Sequence, residues 1–368
     1  MTKGFDILAP GQVQASQTID IDGGQPDAEL SGESVYDPSM PAFPILYLAE
    51  PDAEAAVLSS GVLAYLVEAM PQARFTVVGS PASAPLFADL PRLDRIILLE
   101  KEGRLDWIAL WNQLRVTRWG LIVDMRGSTL SGKLRRERRA VRGREKPDPH
   151  ESGPQDQARH AVEQAARVLR LDEVPAPRLF LGEETRAAAD VLVRPDDRPI
   201  LAVGPGTDWI GKCWPAERYS KIAAALLGPD GPLAGGRLLI VGDEDDRDLA
   251  HTIRLAVARN RVIEVQGRLT PLQTAAALSH AALYIGADSL WTQLAVAAGV
   301  PTIGVYGPSD ETVVGPWGGA SVRGPRSLDE YRALDPRLNQ AIQHMMDLPA
   351  ERVLKVARKR LAERAATS

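Results

Sequence analysis

The sequence predicts an α/β protein made of two Rossmann-like domains whose parallel sheets face a cleft. Three observations carry that prediction. Short unbroken β-type runs alternate with helix-like stretches from Pro44 onward, as expected of strands covered on both faces by crossover helices. The alternation runs to about residue 127, breaks, and begins again at residue 199. The length, 368 residues, suits two domains of ordinary size.

The elements follow in order. Residues 1–43 are acidic and rich in Gly, Ser, Pro and Gln, which predicts a disordered tail. The domain over 44–185 opens with strand "ILYLA" (45–49) and a helix over 57–70. Strands at 74–80, 95–100 and 120–127 follow, with a helix at 105–116. A basic segment comes next, holding Lys133, Arg135, Arg136, Arg138, Arg139, Arg142, Arg144 and Lys146. Its charges suit either a solvated helix face or phosphates on an acceptor or a membrane surface. A helix over 155–171 and an approach to a linker close the domain.

The domain over 186–348 repeats the alternation without a sequence repeat. Strands are expected at 199–206, 236–244, 261–267, 282–288 and 300–307. Between them lie helices at 215–228, 246–260, 270–281 and 289–299, with Pro215 at a first turn and Gly228 and Gly299 as stops. An amphipathic helix occupies the final stretch, 349–368.

Composition narrows the function. Hydrophobic residues make up 45% and charged residues 25%, ordinary for a chain with proper cores. The net charge of -5 and the lack of aromatics within the basic segment argue against a nucleic-acid partner. One cysteine, Cys213, permits no internal disulfide and fits a reducing compartment. Five histidines without ligand spacing argue against a built-in zinc site. No apolar run reaches the ~18 residues of a membrane span. The first residues lack a basic start with an apolar block, so no secretory signal is expected. A cytoplasmic protein follows, soluble or held at the inner face of the membrane.

Open α/β sheets bind ligands beyond the carboxyl ends of their strands, which selects a few turns. The turn "GPGTDWIGKCWP" offers Gly204 and Gly206 for backbone approach to an anion and Lys212 as a cation for phosphate. It matches neither the dinucleotide fingerprint nor the P-loop, which disfavours both chemistries. In "GADSLW", Asp288 or Ser289 can cap the following helix, whose free N–H groups favour anions. In "VGDEDD", Asp243 and Glu244 can accept ribose hydroxyls, although four acids together also suit a solvated loop. A nucleotide sugar fits this set. The turn after the first strand, "EPDAEA", holds three carboxylates and no glycine.

Three stretches, "VGPGTDWIGKCWPAERY", "VQGRLTPLQTAAALSHAALYIGADS" and "LAVAAGVPTIGVYGPSDETVVGPWG", resemble the C-terminal domain of glycosyltransferase family 9. That family includes the bacterial ADP-heptose:lipopolysaccharide heptosyltransferases. In the first half, "WGLIVDMRGS" is similar to the family's "DLVIDLRGS", and "RHAVEQ" to its "HRVEQ" helix. The resemblance covers residues 44 to about 325 and implies the GT-B fold. It also implies inverting, metal-independent transfer of a heptose from a nucleotide-sugar donor to a lipid-linked or phosphorylated envelope glycan, with no cofactor. The family's first turn carries an aspartate as presumed base, and the resemblance lays it on Ala55. Glu54, Asp52 or Glu50 can stand in for it, leaving-group stabilisation alone can carry slow turnover, or transfer has been lost. In the last case the chain is a nucleotide-sugar- or glycan-binding scaffold. Near 287–293, Ala287, Leu290 and Gln293 replace the family's asparagine, glycine and histidine, while Asp288 and Ser289 remain. Trp291 beside them suits helix packing or stacking at a mouth.

Overall fold

The structure, a computed structural model, describes residues 42–101, 103–143 and 160–367. The expected tail, apart from its last two residues, and the stretch 144–159 with Arg144 and Lys146 lie outside the described residues.

The first sheet is parallel, in the order β3-β2-β1-β4-β5. Its strands are β1 (Phe43–Leu48), β2 (Ala73–Gly79), β3 (Leu93–Leu98), β4 (Trp119–Asp124) and β5 (Arg136–Val141). Alternate residues of β1 point to opposite faces. Ile45 and Tyr47 join a core with helices α1 (Ala53–Leu58), α2 (Ser60–Ala69) and α4 (Ala161–Val168). Leu46 and Leu48 pack on the other side against Leu110 and Leu114 of α3 (Arg104–Leu114).

The helix expected over 57–70 starts earlier and is broken in two. Ser59 and Ser60 turn their hydroxyls back onto the carbonyls of Ala56 and Val57, competing with the helix's own bonds. A side chain at Gly61 would meet the carbonyl oxygens of Pro175 and Ala176 at 2.4 and 2.5 Å, so a crossing segment presses directly on the backbone there.

The helix reading of the basic segment is corrected by β5. This edge strand pairs Trp119 with Arg136 and Asp124 with Val141. Charge on an edge strand discourages pairing with another chain. Arg142, just beyond it, forms an ion pair with the nearly buried Glu50 at the end of β1.

The second sheet is also parallel, in the order β11-β10-β9-β6-β7-β8. Its strands are β6 (Ile200–Gly204), β7 (Arg237–Ile240), β8 (Val262–Glu264), β9 (Leu283–Ala287), β10 (Thr302–Tyr306) and β11 (Ala320–Arg323). Helices α5 (Glu183–Val193), α6 (Ala216–Leu227), α7 (Arg247–Arg254), α8 (Pro271–Leu278) and α9 (Leu290–Ala297) cover it. Two short helices, α10 (Glu311–Val314) and α11 (Leu328–Leu334), and strand β11 have no counterpart in the sequence prediction. The last helix, α12 (Ala350–Thr367), packs on α6, β10 and β11, so it belongs with the second sheet.

One apolar cluster runs through both lobes. It joins Val57, Leu66 and Ala165 of the first to Leu272, Trp291 and Leu294 of the second. α1 packs directly on α9. His160 adds a polar strut. Its Nδ1 accepts from Val162 N at 3.2 Å, which leaves the proton on Nε2, and Nε2 donates to Gly315 O at 2.9 Å. Its ring also leans on Trp317, with centroids 5.0 Å apart.

Candidate active site

The contact of α1 with α9 brings the two predicted halves of the site together. Asp52 is the N-cap of α1, accepting from Ala55 N at 2.9 Å. That bond starts the helix and directs the next carboxylate, Glu54, toward the second domain. There Lys212 lies 3.2 Å from Asp288 and 3.1 Å from Asp208. Asp288 is buried and Asp208 exposed. The Oδ1 atom of Asp288 is buried without a hydrogen-bond partner.

Electrostatics separate these groups. Burial raises the Glu54 carboxyl, and the charge of Asp288 raises it further. Lys212 opposes them, Asp52 and Asp208 add to them, and the balance pushes Glu54 up to about 8. Burial works against the charged form of Lys212, but Asp288, Asp208 and Glu54 outweigh it and push the ammonium up to about 12. The site therefore holds a carboxyl that exchanges its proton near neutral pH beside a cation that does not.

Glu50 is not part of this group. Its partner is Arg142, which also donates to Gln164 at 3.4 Å. Ala55, onto which the resemblance lays the family's aspartate, follows Glu54 within α1 and carries no titratable group.

Several predicted residues serve differently from expectation. Ser289 occupies the N-cap of α9 without a side-chain cap bond, and Asp288 turns to Lys212 instead of capping. The first N–H groups of α9 are thus left open at the side chain that binds Lys212. A side chain at Gly204 would strike the Tyr284 hydroxyl at 2.1 Å, and one at Gly206 the Asp246 carboxylate at 2.0 Å. These glycines make room for the protein's own side chains. Gly206→Ala is therefore expected to cost about 1–3 kcal/mol, because Asp246 would have to release Asp243 N, held at 2.8 Å. An unchanged denaturation midpoint would refute that account. Asp243 and Glu244 sit at the end of β7 as exposed residues, Glu244 3.1 Å from Arg247. Trp291 is buried against Gly204, a packing role. Gln293 is fully buried, donating to Val314 O at 2.8 Å while its Oε1 finds no partner.

The support behind Lys212 was not read from the sequence. The Trp209 ring covers Gly211, where a side chain would come within 2.3 Å of it. Its Nε1 donates to Gln340 O at 2.7 Å, and the ring meets His344 edge-on at 5.5 Å. His344 and its neighbour Asp335, 3.6 Å away, are both buried. A tryptophan two residues before a glycine in a phosphate-type turn was the available signal.

Two parallel-sheet domains, with a lysine turn on one and a carboxylate turn on the other, define a GT-B glycosyltransferase architecture. The family model described as glycosyltransferase family 9 (heptosyltransferase) matches residues 107–330, more than half the chain. This chain belongs to that family. The matched region begins after the Glu54 turn. A lipopolysaccharide heptosyltransferase 3 from Escherichia coli is 29% identical over 119 residues, 32% of this chain and 34% of that protein. The alignment thus spans about a third of that relative's length. E. coli ADP-heptose lps heptosyltransferase II shares the fold with a TM-score of 0.66 at 16% identity, covering 88% of this chain and 100% of the other. E. coli heptosyltransferase WaaC, solved with ADP, gives 0.61 at 16% identity, covering 86% and 100%.

Proposed function

We propose that the chain transfers a sugar, heptose by family, from a nucleotide-sugar donor to a hydroxyl of a lipopolysaccharide-core or related envelope glycan. The observation that carries this is the convergence of Glu54 from one domain with Lys212 and Asp288 from the other. The donor diphosphate takes Lys212, displacing the exposed Asp208, and meets the open N–H groups of α9. WaaC, solved with ADP, supports an adenine nucleotide as that donor's carrier. The acceptor oxygen attacks the anomeric carbon from the opposite face. Its proton goes to Glu54, or to Asp52 if Glu54 is not the base. The bond from the anomeric carbon to the diphosphate oxygen breaks, and the sugar inverts. Lys212 and the helix terminus neutralise the leaving diphosphate, work that a metal does elsewhere, so none is needed. The exposed Asp243 and Glu244 are left to receive ribose.

The test is incubation of the purified chain with ADP-heptose and a heptose-accepting lipopolysaccharide core, with product mass read by mass spectrometry and anomeric configuration by NMR, beside donor calorimetry. Transfer with inversion is the expected result. Donor binding without turnover would instead support a nucleotide-sugar-binding relative, and no heat with any activated sugar would remove the reading.

A further inference from the structure

Helix α3 buries Leu110 and Leu114 beneath the first sheet, yet its opposite side is apolar too. Leu105 is 79% exposed and Ile108 46%; Val116, just past the helix, is 73% exposed and Leu98, at the end of β3, 54%. Residues 105, 108 and 109 share one side of a helix. Ala109 also lines a shallow groove with Leu98, shared with Glu100, Asp106 and Gln113, so strand end and helix meet along one surface of mixed character. Large apolar side chains scattered singly need no explanation, but four exposed on one face of one lobe do.

The strip has a cationic rim. Lys101, Arg104, Arg115, Arg118, Lys133 and Arg135 are all exposed. The Arg115 guanidinium lies 5.0 Å over the Trp111 ring, and Trp111 Nε1 donates to Lys133 O at 3.5 Å, which ties the 133–135 turn to the helix. Trp107 and Trp111 are half-buried between strip and sheet. Among the described residues the acids on this surface are Glu100, Asp106 and Glu137, the last 3.5 Å from Arg118, and Glu102 lies outside them. Six cations stand against three acids among the described residues, and against four when Glu102 is counted by sequence, so the excess is positive on a chain whose net charge is -5. A second copy would set one cationic rim against another, which like-charge repulsion disfavours.

We propose that the outer face of α3 docks on an anionic phospholipid bilayer. Leu105, Ile108 and Val116 enter the boundary between headgroups and acyl chains, the two tryptophans sit at its level, and the rim meets lipid phosphates. This face of the sheet is the one turned away from the second domain, so docking leaves the site between the domains uncovered. The proposal goes beyond sugar transfer and does not depend on it.

Co-sedimentation of the full chain with phosphatidylcholine vesicles, with and without phosphatidylglycerol, tests it in the absence of any donor or acceptor. Binding to the anionic vesicles alone is expected, and it should weaken from about 0.05 M to about 0.5 M salt. Arg104→Glu with Arg115→Glu should lower the affinity about 30-fold or more. Leu105→Glu with Ile108→Glu should lower it about tenfold or more. Val191→Glu, at an exposed apolar residue on another element, should change nothing. All four altered side chains of the two double variants are exposed, so their fold should survive, as circular dichroism would verify. Failure of the wild type to bind anionic vesicles would overturn the proposal. So would binding that both double variants retain, or a wild-type dimer that Leu105→Glu dissociates. A fall in melting temperature of the Leu105→Glu, Ile108→Glu variant without vesicle binding would show that another part of the chain covers the strip.

Discussion

Glu54→Gln should reduce transfer by about 10²–10⁴-fold while leaving donor affinity nearly intact. The amide keeps the shape of the carboxyl but cannot take the acceptor's proton. In the wild type the rate should climb with pH toward a midpoint near 8, because burial and Asp288 hold the carboxyl protonated below that value. Stability gives a second readout that needs no substrate. Between about 4.5 and 8 the folded chain keeps a proton on Glu54 that the unfolded chain has lost. The native state then binds more protons, so stability falls as pH rises through that window. Glutamine removes this slope, and the melting temperature of the variant should gain on the wild type between pH 5 and pH 8. Parallel melting profiles across that range would mean that the carboxyl is not held protonated. Retained turnover in Glu54→Gln would pass the role to Asp52, to be examined through Asp52→Asn.

Lys212→Ala should weaken donor binding by roughly 30- to 1,000-fold, the range for losing one partner of a charge-assisted contact. It should also lower stability by about 3 kcal/mol, since the buried Asp288 loses its counter-charge. The contact with the exposed Asp208 adds little to that loss. The two effects come apart in the double variant. Lys212→Ala with Asp288→Asn leaves no buried carboxylate stranded, so the melting temperature should largely recover. Donor affinity should not. Calorimetry showing tight donor binding by either variant would mean that the diphosphate is gripped elsewhere.

Much of the architecture was legible because parallel strands buried on both faces write long apolar runs, as in "LIVD" of β4 and "LYIGA" of β9. What escaped was short or held from a distance. β5 opens with four charged residues on an edge and only Ala140 and Val141 at its end are apolar, too short a run to signal a strand, so its register appears only through pairing with β4. The turn at His344 is held by distant partners on either side of it, Trp209 on Gln340 and Trp214 on Leu348. At the site, Lys212 and Asp288 were readable as residues, but the pair they form across two turns was not. Glu54 shows the limit most clearly. Alignment by family pattern lays the catalytic place on Ala55, one residue further on. The Asp52 cap sets the first turn of α1 so that the glutamate reaches the second domain instead. A one-residue offset in a helix turns a side chain by about 100°, and only the cap geometry decides which residue faces inward.

The oily interior shared by the two lobes has a bearing on how substrates come and go. Prising the lobes apart would wet leucine and valine side chains that have no polar alternative, with a steep penalty for each increment of gape. Any separation of the lobes must also break the bond that His160 Nε2 donates to Gly315 O, so apolar surface and hydrogen bond oppose widening together.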